Sequence, residues 1–299
     1  MKPSAFDYYA PDSVEEALGL LARHGGDAKP LAGGQSLIPA MNFRVLQSAL
    51  LMDLNRLTAL DGIRHVDREL RIGAMTRQRR VERDPLVAQL APLLHETMPH
   101  IAHPQIRNRG TIGGSLVHAD PAAELPVIAI ALKARMRAQS AAGERWLTAQ
   151  EFFLDMFTTA LQPDELLVEI AFPPLPSGAG WSFMEFARRH GDYALIGVAV
   201  WVALDDRSVC REARLVYLNA GNGPIDARSA ARLLQGQEIS LEAIEAAAAA
   251  ADREILPTGN VHCTPAFQRH LAHILTRRAL LQAHARAKAN LQLPVANDK

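Results

Sequence analysis

The chain is poor in cysteine, in net charge and in long apolar runs, and each shortage excludes a class of protein. Its 299 residues include two cysteines, Cys210 and Cys263, which are too few for a disulfide framework, a four-cysteine zinc site or an iron–sulfur cluster. Lysine plus arginine and aspartate plus glutamate each total 32, so the formal net charge is zero. Because proteins that bind nucleic acid carry a cationic excess, we expect no nucleic-acid partner.

The sequence also lacks the patterns of membrane spans and export signals. The longest apolar run, residues 194–204, has 11 residues and contains Gly197, whereas a helix that crosses a bilayer needs about 20. Residues 1–7 lack the apolar core of a signal peptide. We therefore expect a cytoplasmic protein that does not insert into a membrane.

The spacing of apolar residues predicts an α+β fold that begins with a small β-α-β unit. Ser13 and Glu16 have the spacing of a capping box that opens a helix. The strands of this unit are predicted at 29–32 and 50–54. A second unit over 59–172 is predicted to have strands at 70–74, 131–138 and 166–172 and helices between 81 and 98 and after Thr148.

A proline-rich segment, residues 173–178, marks a predicted boundary. Beyond it, three strand-like runs predict a three-stranded antiparallel sheet, with strands at 181–189, 194–204 and 213–219. Helical periodicity follows at 227–234, 241–252 and 265–289, the last behind Thr264 as a cap. We therefore expect three parts, at 1–57, 58–176 and 177–299.

Two glycine turns, Ala32–Leu37 and Thr111–Leu116, each join a pair of glycines to a serine. Glycine permits close backbone approach and positive φ, consecutive free N–H groups form an anion-binding concavity, and a serine hydroxyl adds a donor. Two such turns are able to grip a pyrophosphate from two sides. Each turn alone is weak evidence, because such a turn more often serves as a tight connection between a strand and a helix.

Common nucleotide-binding and catalytic motifs do not occur in the chain. It contains neither G-x-G-x-x-G nor G-x-x-x-x-G-K-[ST], and without a G-x-S-x-G elbow Ser36 and Ser115 are poor nucleophiles. His95 and His100 are one residue too far apart for H-E-x-x-H, and Pro99 would interrupt the helix. We assign no metal ligand.

The two turns and their surroundings resemble a known family. The segment 32–39, AGGQSLIP, together with the segment 107–126, RNRGTIGGSLVHADPAAELP, resembles the FAD-binding medium subunit of molybdenum hydroxylases. The similarity is closest to the flavoprotein subunit of aerobic carbon monoxide dehydrogenase and its N-heterocycle-oxidising relatives, and more distant to the flavin domain of xanthine dehydrogenase. Residues 188–194 and 219–221 also fit, so the resemblance extends over nearly the whole chain.

The resemblance implies an FAD-binding fold of the vanillyl-alcohol-oxidase type, followed by a C-terminal domain of a three-stranded sheet and helices. It implies that both turns cradle the FAD pyrophosphate, that Glu124 holds the cofactor's polar chain, and that Ile101, Leu167 and Tyr193 lie near the flavin ring. The full set of implied cofactor-binding residues is Ala32, Gly33, Gly34, Gln35, Ser36, Leu37, Ile101, Thr111, Gly114, Ser115, Asp120, Glu124, Leu167 and Tyr193.

One position departs from the family pattern. Some relatives carry lysine three residues before the first arginine of the Arg188–Arg189 pair, where it approaches the flavin, and this chain has Glu185 there. A carboxylate near the ring would disfavour an anionic reduced flavin by Coulomb repulsion.

The resemblance further implies an electron-transfer subunit of a heteromeric enzyme. Electrons would pass from iron–sulfur clusters on a partner through FAD to an external acceptor. The expected partners are a large molybdopterin-binding subunit and a small 2Fe–2S subunit, in a dimer of heterotrimers. Because the flavin performs the redox chemistry, no catalytic side chain is expected. A stand-alone FAD-dependent oxidoreductase and a non-catalytic nucleotide-binding or scaffold protein are the alternatives.

Overall fold

The computed structural model describes residues 2–292. Its strands are β1 (Asp7–Tyr9), β2 (Ala28–Leu31), β3 (Leu50–Asp53), β4 (Ile63–Val66), β5 (Glu69–Gly73), β6 (Arg135–Ser140), β7 (Gly143–Thr148), β8 (Phe153–Asp155), β9 (Thr158–Thr159), β10 (Leu166–Phe172), β11 (Ala179–Ala187), β12 (Ala194–Leu204), β13 (Cys210–Leu218) and β14 (Ile225–Asp226).

Its α-helices are α1 (Val14–His24), α2 (Leu37–Asn42), α3 (Gln78–Arg83), α4 (Pro85–Leu90), α5 (Pro92–Thr97), α6 (Pro104–Arg109), α7 (Ile112–His118), α8 (Glu124–Ala131), α9 (Ala149–Phe152), α10 (Arg228–Arg232), α11 (Leu241–Glu254) and α12 (Pro265–Leu291). Short 3₁₀ turns lie at Gly25–Asp27, Thr58–Leu60 and Met98–His100. Within residues 2–292, no helix combines the length and the apolar character needed to cross a membrane.

These elements form two compact units, and both are discontinuous in sequence. The first contains the chain up to Ala91 together with Ile101–Asp120 and Lys133–Pro173. The second contains Pro92–His100, Pro121–Leu132 and the chain from Pro174 onward. The chain therefore passes from the first unit to the second between Pro173 and Pro174, at the start of the predicted linker. Two short segments from the middle of the predicted 58–176 part nevertheless pack with the second unit.

The first unit opens with three strands and two α-helices, in the order β1-α1-β2-α2-β3. Strands β1, β3 and β2 form a parallel sheet in that order. Helix α1 begins after Ser13, whose hydroxyl accepts a hydrogen bond from the Glu16 N–H at 3.1 Å. The apolar stripe of α1 buries Leu18 and Leu21 in a core that also contains Met52. The predicted strands at 29–32 and 50–54 correspond to β2 and β3, whereas β1 was not predicted.

The larger sheet of the first unit is antiparallel, in the order β4-β5-β10-β6-β7. All seven residues of its central strand β10 are buried. The predicted strand at 131–138 is wrong in its first part, because α8 runs to Ala131 and β6 begins at Arg135. Every residue of α8 is buried, and a short apolar run buried on all sides has no periodicity that distinguishes a helix from a strand.

The second unit is built around an antiparallel sheet in the order β11-β12-β13-β14. The predicted three-stranded sheet is therefore short by one strand, because β14 has only two residues and leaves no periodic signal. Helix α12 packs on β11 and β12, and Thr264 caps it as predicted, accepting from the Phe267 N–H at 3.2 Å. The buried Trp201 indole N–H donates to the Ala131 carbonyl at 2.7 Å and ties β12 to α8.

Candidate cofactor site

The first glycine turn presents a row of unused backbone donors. Strand β2 ends at Leu31 and α2 begins at Leu37, with the turn between them. Within the described chain, none of the N–H groups of residues 32–36 donates to a protein acceptor, and the exposed Ser36 hydroxyl is likewise unbonded. Gly34 has φ +73°, a left-handed conformation that suits glycine. Successive free N–H groups of this kind form a site for an anion.

The second turn differs from the first, because the N–H groups at the start of α7 already donate hydrogen bonds to acceptors within the protein. The Thr111 hydroxyl accepts from the Gly114 N–H at 3.0 Å, and the N–H groups of Ile112 and Gly113 donate to the carbonyls of Thr76 and Ala74. The expectation that both turns present free amides is therefore wrong for this one. In the described structure, the donors that remain unbonded here are the Thr111 N–H and the Ser115 hydroxyl.

The two turns lie in direct contact within the first unit. A Cβ added at Gly33 would collide with the Arg109 carbonyl oxygen and lie 2.7 Å from the Gly110 Cα. A Cβ added at Gly114 would lie 3.5 Å from the Cβ of Ala32. Gly33 is thus needed where its backbone packs on the backbone of residues 109–110, and the first turn lies directly beside the second.

The loop that contains Ile101 is held by a buried ion pair. The Arg107 side chain is 4% exposed and donates to Glu82 at 2.9 Å and to the Ile101 carbonyl at 2.7 Å. Burial would raise the pKa of Glu82, but hydrogen bonds and charge from Arg107 and Arg79 outweigh it and hold that pKa below its ordinary value. The neighbouring Ala102 has φ +44°, a conformation that costs free energy and is kept by its surroundings.

The remaining predicted residues are divided between the two units. Asp120 and Leu167 belong to the first unit, where Leu167 is buried in β10 next to an irregularity in its pairing with β6. Glu124 and Tyr193 belong to the second: Glu124 is buried at the start of α8, and Tyr193 is 69% exposed. The structure thus brings the two turns together, and the roles of the other residues stay predictions.

Glu185, the position that departs from the family pattern, lies on β11 in the second unit. Its carboxylate is 8% exposed, with Oε1 3.4 Å from the Nδ1 of His100. Its other oxygen is buried without a hydrogen-bond partner in the described structure. Across residues 2–292, no three histidine, cysteine, aspartate or glutamate side chains converge as a metal site.

Comparisons with known proteins match both parts of the chain to known families. The family description "FAD binding domain in molybdopterin dehydrogenase" matches residues 4–175, and "CO dehydrogenase flavoprotein C-terminal domain" matches residues 181–283. The chain is 46% identical to the 6-hydroxypseudooxynicotine dehydrogenase complex subunit alpha of Paenarthrobacter nicotinovorans, over 96% of this chain and 97% of that protein. It is 41% identical to caffeine dehydrogenase subunit beta of Pseudomonas sp. (strain CBB1), over 95% and 96%.

A solved structure has the same fold. A chain of carbon monoxide dehydrogenase from Hydrogenophaga pseudoflava superposes with a TM-score of 0.93 at 38% sequence identity, covering 96% of this chain and 99% of that one. The fold defines a flavoprotein that combines an FAD-binding domain with a C-terminal domain. The chain belongs to the FAD-binding medium subunits of the molybdenum hydroxylases, the family that includes the carbon monoxide dehydrogenase medium chains.

Proposed function

We propose that this chain is the FAD-carrying electron-transfer subunit of a heteromeric molybdenum hydroxylase. Electrons would arrive from iron–sulfur clusters on a partner chain and leave for an external acceptor. The observation that carries the proposal is the row of unbonded amides at residues 32–36, packed against the turn that begins at Thr111. The relatives named above are subunits of dehydrogenases, which supports a role within a complex.

The residues present fit the pyrophosphate of FAD. Its charge is negative, and the free amides of the first turn offer several donors to phosphate oxygens without a cationic side chain. The Ser36 and Ser115 hydroxyls and the Thr111 N–H add further donors. FAD, when bound, supplies the electron-transfer chemistry, and this chain's side chains orient it and control its access to water.

Several finer features are part of the same proposal. The two-part cofactor fold is of the vanillyl-alcohol-oxidase type, with Asp120 and Glu124 toward the polar chain of FAD and Leu167 and Tyr193 toward the flavin. The partners are a large molybdopterin-binding subunit and a small 2Fe–2S subunit, assembled as a dimer of heterotrimers in the cytoplasm. Support for the separate small subunit comes from the two cysteines of this chain, since a 2Fe–2S cluster requires four ligands.

The full chain expressed without partners tests the proposal. It should purify with FAD but without iron or molybdenum, and it should not oxidise the organic substrate of the complex, because the substrate would bind on another chain. Absorbance, metal analysis and a turnover assay measure these properties. Oxidation of organic substrate by the isolated chain would favour the stand-alone oxidoreductase instead, and a chain unable to bind FAD would refute both readings.

Ile101 should tune the flavin that the site holds. An apolar side chain beside the ring excludes water and raises the cost of charge on the reduced cofactor. The Ile101→Thr variant, which is one carbon shorter and carries a hydroxyl, should therefore raise the reduction potential by about 30 mV, equivalent to about 1.4 kcal/mol for two electrons, with FAD occupancy retained. Spectroelectrochemistry measures the change, with Val117→Thr on α7 as the control. An unchanged potential would assign Ile101 to the core alone.

A further inference from the structure

Asn55 is anchored at the end of the parallel sheet and holds the first glycine turn. Its side-chain amide donates to the Ala32 carbonyl at 3.1 Å, and its backbone N–H donates to Asp53 Oδ1 at 2.9 Å. Asp53 also accepts from the Tyr8 hydroxyl at 2.6 Å. Burial alone would raise the pKa of Asp53, but these hydrogen bonds and the charge of Arg109 keep it below its ordinary value. The Asp53 carboxylate therefore stays ionised and accepts the hydrogen bonds that fix the position of Asn55.

Arg77 connects Asn55 to the second turn. The backbone around Arg77 pairs with the backbone around Thr111: the Gln78 N–H donates to the Gly110 carbonyl at 2.8 Å, and the Ile112 N–H donates to the carbonyl of Thr76 at 3.0 Å. The Arg77 guanidinium donates to the Arg109 carbonyl and to Asn55 Oδ1. A continuous set of hydrogen bonds thus runs from the second turn through Arg77 and Asn55 to Ala32.

Among the described residues, the side-chain hydrogen bonds that link the two turns run through Asn55 and Arg77. Gly33 has only hydrogen where it packs on Arg109 and Gly110, so it offers no interlocking side chain. The free amides of the first turn and the donors of Thr111 and Ser115 serve one pyrophosphate only if the turns keep their separation. Preorganisation of donors lowers the cost of binding.

We propose that Arg77 and Asn55 are positioning residues for FAD, which hold the first glycine turn against the second without touching the cofactor. The inference rests on the proposed function, since it takes the two turns as the pyrophosphate site. Neither residue is among those that the family resemblance implied. The role of each depends on the other, because the bridge is complete only while both side chains are present.

A double-mutant cycle on FAD affinity tests this coupling. The full chain prepared without FAD is titrated with FAD, and dissociation constants are measured from the flavin fluorescence for Asn55→Ala, Arg77→Met and the double variant. Each single variant should bind FAD about 10-fold more weakly, which is about 1.4 kcal/mol. The double variant should be within about threefold of the weaker single variant. Arg80→Met is the matched control, because Arg80 lies on α3 just after Arg77 and its side chain pairs with Asp61 at 3.1 Å, away from both turns; it should change the affinity less than about twofold.

The outcomes separate this inference from the proposed function. If the wild-type chain does not bind FAD, the proposed function fails. If it binds FAD and the single variants bind equally well, the positioning role fails alone. Independent losses that multiply to about 100-fold in the double variant would mean that each residue contacts the cofactor separately, which also overturns the bridge. Asn55 is exposed, so Asn55→Ala tests the prediction even if Arg77→Met fails to fold.

Discussion

The Gly33→Val variant should bind FAD at least about 100-fold more weakly than the wild-type chain, a loss of about 2.8 kcal/mol. The added Cβ would meet the Arg109 carbonyl oxygen and the Gly110 Cα. These are backbone atoms, which cannot swing aside as the end of a flexible side chain can. The first turn would have to move away from the second, and its free amides would lose their alignment. Titration of the full chain with FAD measures the effect.

Gly26→Val provides the matched control for this prediction. No heavy atom beyond its chain neighbours lies within 4 Å of the position that a Cβ would take at Gly26, and this glycine precedes the same strand, β2. Its variant should bind FAD as the wild type does. A folded Gly33→Val chain that purifies with near-stoichiometric FAD would show that the pyrophosphate does not depend on the contact between the turns.

The Arg107→Met variant should lower the free energy of unfolding by about 3 kcal/mol. Removing one partner of a buried ion pair leaves the other partly uncompensated in a poorly solvated place, and here that partner is Glu82. The carbonyls of Ile101 and Ala102, which accept from Arg107 at 2.7 and 3.1 Å, would also lose their donor. Urea unfolding of the full chain without FAD measures the change, since every group involved belongs to this chain.

The Arg79→Met variant separates two contributions of Arg107 to stability: its hydrogen bonds to the carbonyls of Ile101 and Ala102, and its ion pair with Glu82. Arg79 pairs with the same carboxylate of Glu82 at 2.8 Å but is more exposed than Arg107, so its loss should cost about 1 kcal/mol or less. Equal losses in the two variants would contradict the view that Arg107 holds the loop before the second turn through its carbonyls.

Local signals predicted much of the fold. The capped start of α1 at Ser13, the buried strand β12 and the proline start of α12 each depend on a few neighbouring residues, and such patterns survive folding because tertiary contacts reinforce them. The location of both glycine turns followed in the same way. Helix α8 was missed because burial on every side erases its periodicity.

Local patterns could not predict which backbone N–H groups of the site are free and which donate to other parts of the protein. Whether the second turn has free N–H groups depends on the carbonyls of Ala74 and Thr76, which are distant in sequence. The same is true of Asn55 and Arg77, whose importance lies in which carbonyls they reach. A polar residue in a loop gives no sequence signal of its acceptor. Arg107 lies in the segment 107–126 on which the family resemblance rests. Its pairing with Glu82 could be seen only in the folded structure.

The discontinuous second unit limits how this chain can be cut and recombined. A fragment that ends at Pro173 would keep α8, whose eight buried residues pack on β12 and β13, and would expose them to water. A fragment that begins at Pro174 would leave the buried Trp201 indole without the Ala131 carbonyl and Arg286 without Glu96. A chimera that takes its C-terminal part from a relative therefore has to take α5 and α8 from the same relative. The second unit is encoded by three separate stretches of the gene, not by one.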